Sequence, residues 1–234
     1  MENRDAYGAS FLGNAERSAS RAVFLKKTYF NLALAILVFI GIEGLLMQWQ
    51  PAIELAQTMV SGRNWLVVLF AFMGISWLAN TWALQPSSIG KQYAGLYLYV
   101  AAEAVVFLPL LLLANAIAPD TIGQAAILTL SLVGGLTAVV FLTGKDFSFL
   151  GAFLSMGFFV SLGVIVCALI FGWQLGLWFS LAMAGFATVA VLYQTGATIY
   201  RYGENQYVAA ALGLFASIAM LFWYILQILL NSRR

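Results

Sequence analysis

The sequence contains no histidine, and charged side chains make up only 9% of its 234 residues. Without histidine the chain cannot form a Ser-His-Asp triad, a Cys-His pair or the Ser-His dyad of intramembrane serine proteases, and nearly all zinc sites are excluded. No aspartate falls inside a long apolar segment, which also disfavours an intramembrane aspartyl protease. These absences predict that the protein is not an enzyme, and they suggest no catalytic residue, metal site or cofactor.

Cysteine and net charge are equally scarce. The single cysteine, Cys167, lies in an apolar segment and cannot form an intrachain disulfide, so we interpret it as a packing residue. Eleven basic and nine acidic residues give a net charge of +2, and the sequence has no basic patch interleaved with aromatic side chains. This composition predicts no nucleic-acid partner.

Apolar residues, in contrast, make up 63% of the chain and fall into seven long blocks. Each block has about 20 residues or more, which is the length that an α-helix needs to cross the hydrocarbon core of a bilayer. The blocks lie near residues 28–48, 65–84, 93–117, 122–143, 149–171, 175–199 and 206–230. The sequence therefore predicts an all-α integral membrane protein with lipid as its main surroundings.

The same blocks divide the chain into three parts. A polar N-terminal tail (1–27) precedes a domain of seven transmembrane helices (28–230), and a short basic end (231–234) follows it. We interpret the tail as a flexible segment, since it is rich in small and polar residues. The connections between blocks are short and leave no room for a separate catalytic domain.

The distribution of basic residues predicts the orientation. With the N-terminus in the cytoplasm, eight basic residues lie on the cytoplasmic side and three on the other. Cytoplasmic segments normally carry the excess of Lys and Arg, so this orientation is favoured. Arg233 and Arg234 oppose it, because they end the chain on the far side. A fold with six spans and one re-entrant segment would place them inside, and this alternative stays open.

Two glutamates lie within the apolar blocks, where ionisable groups are costly and often functional. Glu43 lies towards the end of the first block, and its ordinary explanation is an interfacial carboxylate with access to water. Glu103 lies about ten residues into the third block, near the middle of the membrane. Desolvation there favours the protonated carboxyl, and no block offers a deeply placed Lys or Arg. Glu103 is therefore either a hydrogen-bonded packing residue or a proton or cation site.

The last two blocks carry further polar or small residues of interest. Gln194 lies towards the end of the sixth block, where it can hydrogen-bond a neighbouring helix. In the seventh block, Ala209, Gly213 and Ser217 are spaced four apart and share one helix face. A face of small side chains lets another helix approach closely. This spacing predicts that the last helix is surrounded by other helices.

Four segments match, in order and spacing, the motifs of a known family. They are residues 26–29 (KKTY), 142–151 (LTGKDFSFLG), 192–195 (LYQT) and 201–214 (RYGENQYVAAALGL). The most specific match is the loop formed by Lys145, Asp146, Phe147 and Ser148. From residue 26 to 230 the chain resembles the Bax inhibitor-1 family, or transmembrane Bax inhibitor motif proteins, and bacterial members of the YccA type look most similar. The resemblance implies six helices around a central seventh and a cytoplasmic N-terminus, in the inner membrane of a bacterium.

The resemblance also implies two activities. Several members behave as pH-sensitive calcium leak channels gated by two aspartates on the sixth and seventh helices. Members of the YccA type bind a membrane AAA protease of the FtsH type and slow its attack on membrane proteins. The positions that match the two aspartates are Gln194 and Ser217, and neither side chain titrates. Two carboxylates that share a proton can repel each other when ionised, whereas Gln and Ser cannot, so that switch is not carried over.

Three hypotheses follow from these features. The first is a non-enzymatic modulator of membrane-protein quality control, engaged by an FtsH-type protease through the N-terminal tail and the Lys145-Asp146 loop. The second is a calcium, cation or proton leak, with Glu103 lining a path together with Glu43 and Gln194. The third is a constitutively open or closed relic of such a channel, whose central helix is locked by a fixed hydrogen bond between Gln194 and Ser217.

Overall fold

The computed structural model describes the backbone of residues 2–147 and 149–233, with side chains described from residue 19 onward in those ranges. All regular structure in these ranges is helical. The eight helices are α1 (Glu2–Leu46), α2 (Gln50–Val60), α3 (Asn64–Ala83), α4 (Ile89–Ile117), α5 (Asp120–Thr143), α6 (Leu150–Phe171), α7 (Leu177–Tyr200) and α8 (Tyr207–Asn231).

Seven helical segments of the described chain are long and apolar enough to cross a membrane. They are Ala19–Leu46, which is the later part of α1, and the whole of α3, α4, α5, α6, α7 and α8. The seven-helix membrane architecture predicted from the apolar blocks is therefore confirmed. Seven such helices also favour the seven-span arrangement over the six-span alternative.

Helix α1 is longer than the first apolar block. Its backbone is helical from Glu2, through the residues that the sequence analysis interprets as a flexible tail, and it continues into the span without a break. The helical extension before Ala19 has a length of about 25 Å, at 1.5 Å per residue.

Helix α2 occupies residues 50–60, where the apolar blocks predict only a connection. Pro51 occupies the first turn, where a missing N–H costs nothing. Ala52, Ala56 and Met59 are buried, and their spacing places them on one helix face. Ala52 and Ala56 pack against Leu108 of α4. With 11 residues, α2 is too short to span the membrane.

Helix α8 lies at the centre of the bundle. In its apolar 18-residue stretch 72% of residues are buried, compared with 6% in the corresponding stretch of α6. It packs against α1, α3, α4, α5 and α7, while α6 packs on α7 and α3 and completes the ring. The six-around-one arrangement is thus confirmed. Small residues explain it, because the run Ala209–Ala211 has all three side chains buried and lets neighbours approach from several sides.

The two ends of the bundle are closed by different contacts. At the end that holds the α7–α8 connection, Arg21 of α1 donates hydrogen bonds to the carbonyl oxygens of Thr198 (2.7 Å), Ile199 and Tyr202 (2.8 Å). At the opposite end, which holds α2, Arg233 donates to Gln124 Oε1 of α5 at 3.1 Å. Arg233 thus has a polar partner where it emerges after α8. Arg234 lies outside the described residues.

Candidate functional site

A cavity of about 620 Å³ lies beside α8, between it and α3, α4, α6 and α7. We call it the Glu103 cavity. Aromatic and aliphatic side chains form much of its wall, and its polar lining consists of Ser76, Asn80, Tyr99, Glu103, Tyr193, Gln194, Tyr202, Ser217 and Tyr224. It explains why α6 packs on α7 and α3 rather than on α8, since the cavity occupies the space between α6 and the central helix.

Three of the four polar residues singled out from the sequence line this one cavity. Glu103 projects from α4, Gln194 from α7 and Ser217 from α8. Glu103 is the middle residue of the 29-residue helix α4, so it lies about 21 Å from either helix end. The fourth residue, Glu43, lies on the other side of α8.

Glu103 is buried, with only 7% of its surface exposed. It makes a side-chain hydrogen bond with Tyr99, one helical turn earlier on α4. Its Oε2 atom has no hydrogen-bond partner among the described residues, and neither does the hydroxyl of Ser76 in the same wall. No Lys or Arg is found in the described lining. The Glu103 carboxyl therefore has one oxygen with spare acceptor capacity, which protein atoms cover, and no cationic side chain of the described lining neutralises it.

The Gln194 side chain lies against the central helix α8, over Gly213. Its amide nitrogen donates to the Tyr202 hydroxyl at 2.8 Å, and a Cβ atom on Gly213 would lie only 2.6 Å from the Gln194 Cδ. Because Gly213 has no side chain, the Gln194 amide can occupy the space next to it. On the same face of α8, Ala209 and Ser217 are both buried.

The hydrogen bond proposed between Gln194 and Ser217 is not present. The Ser217 hydroxyl donates instead to the carbonyl oxygen of Leu214, at 2.9 Å, within α8 itself. Gln194 is engaged by Tyr202. The hypothesis of a central helix locked by a direct Gln194–Ser217 bond is therefore wrong, because the Ser217 hydroxyl and the Gln194 amide nitrogen each donate to another acceptor.

A second cavity, of about 280 Å³, continues from the first towards the α2 end of the bundle. The two cavities share Trp65, Ile165, Trp223 and Tyr224 in their linings. The Trp65 and Trp223 rings are stacked with their centroids 6.4 Å apart, so this aromatic pair stands between the two spaces. Along α8, the two linings extend from Leu212 to Asn231, about 28 Å of helix axis. That distance is close to the thickness of the hydrocarbon core.

Glu43 has different surroundings from those expected. It lines a cavity of about 420 Å³ between α1, α4, α5 and α8, whose wall is almost wholly apolar. Only 5% of its surface is exposed, and neither carboxyl oxygen has a hydrogen-bond partner in the described part of the chain. Glu43 lies near the end of α1, as an interfacial carboxylate would, but its side chain is buried and lacks the access to water that this explanation expects.

The motif loop joins α5 to α6 at the α7–α8 end. Gly144 ends α5 with a φ of 59°, a left-handed conformation that suits glycine, and the Tyr200 hydroxyl donates to its carbonyl oxygen at 2.7 Å. Phe147 lies close to Gly196 of α7, whereas Lys145 and Asp146 are exposed. Ser148 lies outside the described residues. This loop is therefore held against α7 and presents two charged side chains.

Several lining residues were missed from the sequence. Tyr99 precedes Glu103 by four residues, so a search for polar pairs on one helix face could have found it. Ser76, Trp65 and Trp223 carried no comparable signal. For metals, the described residues contain no cluster of three or more His, Cys, Asp or Glu side chains that could hold an ion.

Comparisons with known proteins agree with this architecture. Residues 21–234 match a family model described as "Inhibitor of apoptosis-promoting Bax1". "Uncharacterized protein PA2604" of Pseudomonas aeruginosa is 33% identical over 212 residues, covering 87% of both chains. Bax inhibitor 1 of Schizosaccharomyces pombe is 30% identical over 89% of this chain and 76% of its own. Protein LIFEGUARD 1 of Arabidopsis thaliana is 27% identical over 94% and 93%. The chain therefore belongs to the Bax inhibitor-1 family.

Proposed function

We propose that the protein is a leak pathway for small cations, calcium or protons, through the Glu103 cavity. The observation that supports this function is the position of Glu103: a buried carboxyl, midway along its helix, in a cavity with no Lys or Arg in its described lining. This position places the leak before the protease modulator as the favoured function, because the sequence alone did not reveal that Glu103 and Gln194 share a cavity.

The electrostatics of the cavity favour cations. An ionised carboxylate in a medium of low dielectric constant attracts a cation more strongly than it would in water, and an anion is repelled. The hydroxyl groups of Tyr99, Ser76 and Ser217 and the amide of Gln194 supply dipoles that can replace part of an ion's hydration. A cation passing this point would therefore find one charge and several polar groups within the same space.

The stacked pair of Trp65 and Trp223, whose residues line both cavities, is the gate of this proposal. Apolar constrictions of this kind gate pores by excluding water. In the described lining of the two cavities Glu103 is the one carboxyl, since Gln194 and Ser217 stand where the family's aspartates would be. We therefore expect any dependence of the leak on pH between 5 and 8 to require Glu103.

The test is calcium and proton flux into liposomes containing the purified protein, between pH 5 and pH 8. We expect Glu103→Gln to lower the flux at least tenfold, equivalent to about 1.4 kcal/mol. Glu43→Gln is the matched control, because it makes the same change in a buried glutamate outside the Glu103 cavity, and it should retain wild-type flux. Equal flux through the wild type and Glu103→Gln at every pH, or no flux above empty liposomes, would contradict the proposal.

A second candidate function is modulation of a membrane AAA protease of the FtsH type in a bacterial inner membrane. The helical extension of α1 before Ala19 supports it, because it offers such a protease a segment of about 25 Å outside the span. The exposed Lys145 and Asp146 lie at the same end of the bundle. With the N-terminus in the cytoplasm, both features would face the protease's cytoplasmic ATPase domain.

Deletion of residues 2–18 tests this second function, since it leaves Arg21 and its contacts with α7 intact. We expect co-purification with an FtsH-type protease to fall to background, and degradation of a membrane substrate to return to the rate seen without this protein. A variant with residues 2–18 scrambled keeps the composition and serves as control for length. Unchanged association after the deletion would rule out the extension as the contact.

A further inference from the structure

The cavity around Glu43 is separate from the proposed leak pathway, on the opposite side of α8. Its wall contains Ile36 and Phe39 from α1, Leu111 from α4 and Ile218 and Phe222 from α8, besides residues of α5. Two polar side chains line it, Glu43 and Thr129, and the Thr129 hydroxyl already donates to the carbonyl oxygen of Ala125 at 2.7 Å. Glu43 is thus the remaining polar side chain of the described lining, and because protein atoms cover both of its carboxyl oxygens, a ligand in the cavity reaches them only when the side chain changes rotamer.

This cavity is open sideways, between α1 and α5. Both helices pack on α4 and α8, and Tyr29 of α1 lies against Phe141 of α5 with the ring centroids 6.4 Å apart. The opening lies beyond this contact, towards the α2 end of the bundle. Ile40 of α1 and Leu130 of α5 line the cavity and are each more than half exposed, as expected of residues at the rim of an opening. Gly44 and Gly123 also line it, and a Cβ atom on either would meet nothing within 4 Å. In a bilayer this opening faces the acyl chains of lipids.

Glu43 is incompletely satisfied in this apolar site. It is 5% exposed, and both of its carboxyl oxygens lack a hydrogen-bond partner in the described chain. A buried polar group without partners costs free energy, and a charge costs more unless it is paired. A ligand that donates hydrogen bonds at this point and fills the remainder with alkyl chain would relieve that cost.

We propose that the Glu43 cavity binds a single-chain membrane amphiphile with a primary ammonium head group. The ammonium pairs with the Glu43 carboxylate, and the alkyl chain lies among Phe39, Phe215 and Phe222. An ammonium offers three donors and a complementary charge. A phosphate head is disfavoured, because no Lys or Arg of the described lining could offset its repulsion by Glu43.

The size and depth of the cavity agree with such a ligand. Its volume of about 420 Å³ is within the roughly 300–1,000 Å³ range of small-molecule sites. Glu43 lies three residues before Leu46, the end of α1, so the head would lie within one helical turn of the helix end. The lining residues Ile36 and Phe39 lie deeper along the same helix. The ligand would therefore be oriented like a lipid of the adjacent leaflet, with its head at the interface and its chain towards the bilayer centre.

The experiment measures binding of radiolabelled dodecylamine to the purified protein in phosphatidylcholine nanodiscs, with binding to empty nanodiscs subtracted. We expect saturable binding of about one molecule per chain. Glu43→Gln should raise the Kd at least tenfold, and dodecanol, which has the same chain but one neutral donor, should compete at least tenfold more weakly. Dodecanoate should not compete, since its carboxylate is repelled.

Substitutions that fill the opening give an independent readout. Gly123→Leu, or Gly44→Leu on the facing helix, should abolish binding while the protein stays monodisperse in gel filtration. Gly134→Leu is the matched control, because Gly134 lies on α5 outside this cavity and also has open space around it. Non-saturable binding, equal competition by dodecanol, or unchanged binding in Glu43→Gln or in both filling variants would overturn the proposal. Each outcome is independent of ion flux, so the proposed leak can fail while this site stands.

Discussion

The two buried glutamates, Glu103 and Glu43, lie on opposite sides of the central helix and differ in what surrounds them. Glu103 shares its cavity with tyrosines, serines and amides from α3, α4, α7 and α8. Glu43 shares its cavity almost only with aliphatic and aromatic side chains, and neither of its oxygens has a hydrogen-bond partner among the described residues. Both carboxyls are more than nine-tenths buried.

This difference shows that burial alone does not determine the role of an intramembrane carboxyl. Both side chains carry a similar cost of desolvation. The neighbours of Glu103 can stabilise an ion in transit, because several polar groups are available along a path that follows α8. The neighbours of Glu43 can instead hold a chain in place, because they offer apolar contact and one charged anchor.

The largest effect on the free energy of unfolding is expected from Gly95→Ala, which alters the contact between α3 and α4. A Cβ atom on Gly95 would contact the carbonyl oxygen of Ala79 and lie 2.8 Å from the backbone nitrogen of Ala83. Backbone atoms cannot move aside as a flexible side chain can, so the two helices must separate. We expect a loss of about 3 kcal/mol in the free energy of unfolding, the upper end of the range for overpacking. Titration of the purified protein with SDS in mixed micelles measures it.

Gly90→Ala is the control for this prediction, because Gly90 is in the same helix and has nothing within 4 Å of the added Cβ. It should be neutral, or stabilising by about 0.5–1 kcal/mol through helix propensity. Because Gly95→Ala displaces α3 and leaves α1 and α5 in place, it should reduce ion flux more than dodecylamine binding. Equal stability of the two alanine variants would show that α3 and α4 are not in the close contact seen here.

A smaller loss in the free energy of unfolding is expected from Arg21→Ala, which removes hydrogen bonds that join α1 to the end of α7, on opposite sides of α8. Arg21 belongs to α1, a wall of the Glu43 cavity, and its guanidinium binds carbonyl oxygens at the C-terminal end of α7, a wall of the Glu103 cavity. Hydrogen bonds to a charged group contribute about 1.5–3 kcal/mol, and we expect a loss in that range. Arg21→Lys keeps the charge but not the forked geometry, so it should recover less than half of the loss. Full recovery by Lys in the same SDS titration would mean that charge alone is responsible.

The bundle itself was predictable from sequence for a simple physical reason. A span must be long and apolar whatever its neighbours are, so the blocks that include Glu43, Glu103 and Gln194 could be identified one at a time. Helix α2 could not be identified in this way, because it is short and buries only one face. Two of its buried residues, Ala52 and Ala56, have small side chains that add little to the hydrophobicity of the segment. A helix of this kind depends on packing against α4, and that information is not local.

The pairing of residues across helices could not be predicted in the same way. Helices α4 and α7 are apolar nearly all round, so periodicity does not indicate which face of α4 meets α8 or where Glu103 points. The family resemblance had already paired Gln194 with Ser217, but that Glu103 shares a cavity with both of them appeared only in the structure. The burial of Glu43 depends on α4 and α8 in the same manner. Tyr99 is the exception, because its spacing from Glu103 along one helix is visible in the sequence.

Replacing each glutamate by methionine should give effects of opposite sign. Glu43→Met removes a buried group without partners and keeps the apolar contacts, so we expect a gain of about 1–2 kcal/mol in the free energy of unfolding. Glu103→Met leaves the Tyr99 hydroxyl without its partner, and we expect a loss of about 1 kcal/mol. The double variant Tyr99→Phe with Glu103→Met should recover that loss. Destabilisation by Glu43→Met in ligand-free protein would indicate a polar partner for Glu43 that this structure does not contain.

The smallest effect is expected from Tyr202→Phe at the entrance of the Glu103 cavity. The Gln194 amide loses its acceptor, which should cost about 0.5–1.5 kcal/mol below pH 10. Burial raises the pKa of Tyr202 above its ordinary value of 10.0. The folded state therefore favours the neutral phenol, and this contribution is complete below about pH 10 and is lost as the pH rises through the folded-state pKa. The free energy of unfolding, measured from pH 8 to pH 11.5, should consequently fall less steeply in Tyr202→Phe than in the wild type.

Tyr200→Phe provides the comparison, because Tyr200 is exposed and its hydroxyl binds Gly144 outside this cavity. Parallel pH profiles for wild type and Tyr202→Phe would mean that Tyr202 is as accessible to water as Tyr200 and that the Glu103 cavity is open at this end.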